Sequence, residues 1–344
     1  MREPFAKTDT KIAVIGGGTG SFAILSALKE RTSQIAALVN MVDDGGSTGT
    51  LRDELGALPP GDVRQCLVAL SKAPELRDLF NYRFDEGSFK GHAFGNIFLT
   101  ALEKMTGSFT DGVDLASRLL NITGMVEPIT ETNTTLVVET TTGGIVRGES
   151  NIEGADFHGE RPEVRLEPEA IASERALRAI KEADIVVIAP GNIYRSIAPV
   201  LATNGVGEAL RSTKAFCVYV CNLVTMPGQT TGFKVHDFAD EIERLAGGEF
   251  LDAVLFNTEL PSDSLMARYA KTGELPVEYD QAKLRDAHYV AAGAALLAGT
   301  VWKNTNRSDP IAAQRTYIRH DSEGVTKALF ELYEYRSEQA NEIA

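Results

Sequence analysis

The chain has 344 residues, 43% of them hydrophobic and 24% charged, which suits a globular fold of one large domain or two small ones. A formal net charge of −14 argues against a nucleic-acid binder, which needs a basic face, but not against a small anion held by backbone N–H groups. There is no apolar run long enough for a membrane span, and MREPFAKTDTK lacks a signal-peptide apolar region, so the expectation is a soluble cytoplasmic protein.

In chain order, residues 1–10 are polar and read as a flexible tail before a single α/β domain over 11–344. Lys11–Ile15 reads as a buried strand, and after a run of glycines Ser21–Lys29 has helical periodicity. Gln34–Val42 is a second strand. Two strands joined by a helix of this length form a parallel βαβ unit. Residues 62–120 are mostly helical, with Asp62 opening one helix and Gly95-Asn96 preceding another that stops at Gly107. The run TTLVVET, TTGG, IVRGES signals a β-hairpin, so an insertion of helices and hairpin is placed at about 59–175. Strands return at Asp184–Ala189, Ala215–Cys221 and Leu251–Phe256, and an amphipathic helix fills about 321–340. Cys66, Cys217 and Cys221 read as buried free thiols. The predicted class is a Rossmann-like α/β fold, a mostly parallel sheet flanked by helices, with a small β-hairpin and helical insertion.

Ligands of open parallel sheets bind beyond the carboxyl ends of the strands. Five strands here end in loops rich in Gly, Asn, Asp or Ser: 16–20, 43–49, 190–196, 222–232 and 257–264. In a parallel sheet these loops share one rim. In the first, Gly18-x-Gly20-x-x-Ala23 fits the dinucleotide pattern, and Gly16, Gly17, Gly18, Thr19 and Gly20 are the candidates to cradle a pyrophosphate at a helix start. A tight turn without ligand would look the same. Asp43 and Asp44, followed by Gly45, Gly46 and Ser47, suit a ribose hydroxyl pair or Mg²⁺ shared with phosphate; the alternative is a turn cap beside a solvated acid. Asp62 and Arg64 read most simply as an N-cap and an ion-pair partner. Asn96, Gly191, Asn192, Tyr194 and Asn222 are further ligand candidates, and Arg319 is placed to pair with a phosphate or to cap the last helix. His92, between glycines, reads more readily as structural than catalytic. The chain carries no nucleophile elbow, HExxH or metal-spaced His/Cys cluster, so any chemistry would be electrostatic and metal-assisted.

The runs IAVIGGGTGSFAILSALK, VDDGGSTGTLRDELGALPPGDVRQCLVAL, GHAFGNIFLTAL, IVVIAPGNIYRSIAPVL and VYVCNLVTMPGQTTGF resemble the gluconeogenesis factor (YvcK-like) family over most of 11–330. That family is related to the CofD-like 2-phospho-L-lactate transferases, which use a guanosine diphosphate donor with Mg²⁺. The resemblance implies a nucleotide site at the strand ends, UDP-sugar binding such as UDP-N-acetylglucosamine, and a role in carbon partitioning, cell-wall precursor supply and cell shape rather than an established enzymatic activity. It carries the family's glycine loop onto Gly16 to Gly20, the acidic pair onto Asp43 and Asp44, and later loop positions onto Gly191, Asn192, Asn222 and Arg319. Asn192 stands where the family has Ser, Met226 where it has Gln, and 299–316 looks unlike the family; these departures bear on ligand identity more than on fold.

Three readings follow: a UDP-sugar-binding regulatory protein with no catalytic residue assigned, an Mg²⁺-dependent transferase acting on a nucleotide diphosphate donor, and a nicotinamide-dependent oxidoreductase supported only by the glycine pattern. A homo-oligomer or a regulatory protein partner is compatible with each.

Overall fold

Short β-branched and Ala-rich runs form the strands β1 (Ile12–Gly16), β2 (Ile35–Val39), β3 (Met125–Pro128), β4 (Thr135–Glu139), β5 (Ile145–Arg147), β6 (Glu163–Glu167), β7 (Ile185–Ile188), β8 (Phe216–Val220), β9 (Ala253–Asn257) and β10 (Val290–Ala294). The structure is a computed structural model that describes residues 7–269, 271, 273–299 and 318–343. Almost all of the segment 299–316 therefore lies outside the described residues. One seven-stranded sheet has the order β10-β9-β8-β7-β1-β2-β3, and every neighbouring pair is parallel. Val14 of β1 sits between Ala37 of β2 and Val187 of β7.

Every residue of β1, β2, β7 and β8 is buried, as expected where helices cover both faces. On one face, helix Gly18–Leu28 packs on Gly61–Leu70 and on the C-terminal helix Ser322–Ile343. Another helix layer packs Val206–Ser212 against Glu174–Glu182 and Val235–Ala246. The sheet grows from β1 to β2 in one direction and from β7 to β8 in the other. Right-handed crossovers put the two sets of helices on opposite faces and leave a crevice between the β1 and β7 loops. Ile15 is 0% exposed in this core, and truncating it to Ala would cost about 2–5 kcal/mol.

The expected α/β class is what the chain adopts, with seven strands in the sheet where five apolar runs stood out. β3 was hidden because it carries Glu127 and ends in Pro128. As an edge strand it tolerates the proline, and Glu127 is fully buried against the Ser173 hydroxyl (2.8 Å) and the Arg175 guanidinium (3.0 Å). β10 (VAAGA) is too small-sided to read as a strand, and β6 too charged. The predicted hairpin is β4–β5, completed by β6 into a separate antiparallel sheet ordered β5-β4-β6. Because β3 interrupts it, the region 59–175 is not one insertion. The tail reading also runs too far: Thr8 N–H donates to Arg31 O (2.9 Å) and the Thr32 hydroxyl to Thr10 O (2.9 Å), which ties residues 8–10 to the domain.

Candidate functional site

Loops after β1, β7 and β8 enclose a cavity of about 270 Å³ at the crevice where the strand order reverses. Gly17, Gly18, Thr19 and Gly20 form one wall, Gly191 and Asn192 another, and Asn222 to Met226 a third; Arg319 and His320 arrive from the segment before the last helix. Two glycines are required by geometry. Gly18 has φ +64°, and a Cβ on Gly20 would stand 1.8 Å from the Pro190 carbonyl oxygen. The β1 and β7 loops can meet this closely only without a side chain. Helix Gly18–Leu28 begins here with no acid in its own first turn, and its first residues line the cleft.

The amides along the opposite wall hold the loops together. Asn222 Nδ2 donates to Gly191 O (2.7 Å) while its Oδ1 accepts from the Tyr219 hydroxyl (2.8 Å). Asn192 Oδ1 caps Arg195 N–H (2.9 Å) and its Nδ2 donates to Gln229 (2.9 Å). His320 Nε2 lies 3.1 Å from Cys221 O, and desolvation pulls its pKa down to about 4, so the ring is neutral at pH 7.

Beside this cleft, on the β2 side, lies a cluster of carboxylates. Asp62 sits under the glycine loop: its Oδ2 would be 2.1 Å from a Cβ on Gly17, and it accepts from Gly18 N–H. Loss of water pushes its pKa up to about 8, with further like-charge repulsion from Asp43 and Glu149. Asp43 accepts from Gly45 N–H (2.9 Å) and from Thr48; desolvation raises its pKa too. Glu149, 9% exposed, pairs with Arg195 (2.6 Å), which also reaches Glu153 (3.2 Å). Among the described residues, no group of three or more His, Cys, Asp or Glu is gathered as a ready metal site.

The candidate residues divide between these two places. Gly17, Gly18, Thr19, Gly20, Gly191, Asn192, Asn222 and Arg319 line the cavity. Gly16 ends β1 just beneath it. Asp43, Asp44, Gly45, Gly46 and Ser47 do not line it. Asp44 turns away from Asp43 and caps the helix Glu149–Ile152, accepting from Glu149 N–H (2.9 Å) and Ser150 N–H (2.8 Å). Ser47 and Asn96 belong to a chain in which Asn96 Nδ2 donates to the Ser47 hydroxyl (3.2 Å), Ser47 lies 3.0 Å from His92 Nδ1, and Arg64 Nε donates to Asn96 Oδ1 (2.8 Å). Tyr194 points into the core, edge-on to Phe157 (5.0 Å) with its hydroxyl toward Glu241, because the π-type turn Ile193–Ile197 rotates it inward. The loop 257–264 lines a neighbouring cavity of about 230 Å³ that shares Asn222 and Leu223 with the first. Sequence reasoning missed Glu149 and Arg195, and it took Asp62 for an N-cap when it lies inside helix Gly61–Leu70. The charged run Arg319-His320-Asp321 reads as able to close over the site, and His320 does line the cavity; nothing local marked Glu149 or Arg195.

The family model described as 2-phospho-L-lactate transferase CofD matches residues 12–297. A Thermotoga maritima protein is 42% identical over 314 residues, covering 91% of this chain and 96% of that one. The gluconeogenesis factor of Bacillus subtilis is 36% identical over 94% of this chain and 98% of its own. The crystal structure of a UPF0052-family protein from Bacillus halodurans superposes with a TM-score of 0.84 at 35% identity, over 94% of this chain and 100% of that one.

Proposed function

Because the chain belongs to the 2-phospho-L-lactate transferase CofD family, we propose that it binds a nucleotide sugar of the UDP-N-acetylglucosamine type and acts as a gluconeogenesis factor, a regulatory protein of carbon partitioning, cell-wall precursor supply and cell shape. The observation that carries the reading is the cleft itself. Its floor is glycine backbone packed against the Pro190 carbonyl, the start of helix Gly18–Leu28 lies on it, and Arg319 lines it. Backbone N–H groups at a helix start and a guanidinium suit a pyrophosphate, even on a chain of net charge −14. The reading is of a cytoplasmic protein; no described helix is long and apolar enough to cross a membrane.

A second reading, an Mg²⁺-dependent transferase on a nucleotide diphosphate donor, is favoured by the carboxylate cluster. Asp44 is committed to a helix cap, so the acids that fit a cation are Asp43 and Asp62, both with pKa values raised by desolvation. Mg²⁺ there would take its other ligands from phosphate and water and would neutralise charge on a transferring group. Calorimetric titration with UDP-N-acetylglucosamine and with GDP, each with and without Mg²⁺, separates the two. Metal-independent binding of the UDP-sugar without turnover supports the regulatory protein. Preferential Mg²⁺-dependent binding of GDP overturns it in favour of the transferase.

A further inference from the structure

We propose that the nucleobase of the bound nucleotide occupies the second cavity, against the ring of Tyr279, so that the ligand runs from the glycine loop toward β9 and not toward β2. This rests on the nucleotide-binding reading above. In dinucleotide folds of this type the ribose next to the pyrophosphate is held by an acid at the end of β2. Here both acids at that position already hold neighbouring chain. Asp43 is turned onto Gly45 N–H and Thr48, and Asp44 onto the N–H groups of Glu149 and Ser150.

In the other direction there is room. The second cavity shares the Asn222–Leu223 wall with the first. At about 270 and 230 Å³, each is smaller than the roughly 300 Å³ at the low end for small-molecule pockets, and together they fall inside that range. The far cavity has the surface a flat heterocycle needs: Tyr279, 40% exposed, with its ring centroid 5.1 Å from that of the buried Phe256. The segment just before it is tied to the site, with Val277 N–H donating to Leu223 O (3.0 Å) and Thr225 N–H to Leu275 O (2.7 Å), which holds the stacking ring near the cleft.

The test photolabels the full-length protein with 5-azido-UDP-glucose, maps the adduct by mass spectrometry, and titrates Tyr279→Ala and Tyr279→Phe with UDP-N-acetylglucosamine. Adducts are expected between Phe256 and Tyr279, with affinity falling roughly tenfold to a hundredfold for Tyr279→Ala and little for Tyr279→Phe. N-acetylglucosamine 1-phosphate, which has no base, should bind wild type and Tyr279→Ala alike. If the UDP-sugar binds wild type but the adducts fall on 43–47 or 148–153, or Tyr279→Ala binds as wild type, the base placement is wrong while the nucleotide-binding reading stands. If no nucleotide binds wild type, both are wrong. The photolabel decides the case even if Tyr279→Ala fails to fold.

Discussion

Around the cleft, the β7–β8 side of the rim is made of backbone and amides, whereas the β2 side is made of carboxylates. On the first side Asn192 and Asn222 spend their side chains on holding loops, and neutral His320 leans on Cys221 O. On the second, burial raises the pKa values of Asp43, Asp62 and Glu149, Asp43 adding to the shift of the other two, with Arg195 as the cation paired to Glu149. Neutral groups can be packed at little electrostatic cost; desolvated carboxylates must share a cation, a proton or a ligand. The first side is therefore a rigid mould, and the second is a charge store whose state depends on pH and on what binds.

The largest effect is expected on the charged side. Arg195→Met leaves Glu149 without its partner and should lower unfolding free energy by about 3–5 kcal/mol at pH 7, read by urea denaturation. A loss under about 1 kcal/mol would mean that Arg195 does not balance the cluster. On the neutral side, Gly20→Val drives a side chain into the Pro190 carbonyl; it should cost about 3 kcal/mol and abolish calorimetric binding of nucleotide. Retained binding would remove the glycine loop from the site.

A pH series sharpens the contrast. The Asp62 pKa is raised in the folded protein from an ordinary 3.8 to about 8, so the folded state holds a proton that the unfolded chain releases. This contribution to stability is fully present below about 3.8 and is lost as pH rises toward 8. In metal-free buffer Asp62→Asn should gain about 2 kcal/mol at pH 8 and flatten the profile between pH 5 and 8. An unchanged slope would show that Asp62 is not the proton store. His320 shifts the other way, from 6.5 to about 4: its contribution is present above 6.5 and lost as pH falls through 4. By NMR its ring should stay neutral at pH 6 and protonate only as pH falls toward 4. The smallest effect belongs to Tyr194→Phe, which should change stability by no more than about 1 kcal/mol and leave ligand affinity as it is, since the ring lies in the core. Weakened binding would return Tyr194 to the site.

Five of the seven sheet strands were legible because each is an apolar run followed at once by a polar loop, a pattern that needs no tertiary information. Those loops do share a rim, but only three share the main cavity, because the chain's own side chains fill the rest. Asp44 shows why this could not be read locally: its partners, Glu149 and Ser150, lie 105 and 106 residues further along the chain. Asp62 is similar, since its place under Gly17 depends on a helix that starts after β2 folding back over the loop that follows β1.

By itself, then, the sequence determined the layered α/β architecture, the parallel direction of its sheet and the glycine loop that follows the first strand. Hydrophobic period, loop chemistry and crossover handedness are local properties that short stretches carry whole. Only the tertiary structure decided which polar side chains face the cleft and which are spent holding it, which acids are stripped of water, and where the second cavity lies. Orientation and desolvation are set by neighbours from distant parts of the chain, and no stretch of sequence contains its own surroundings.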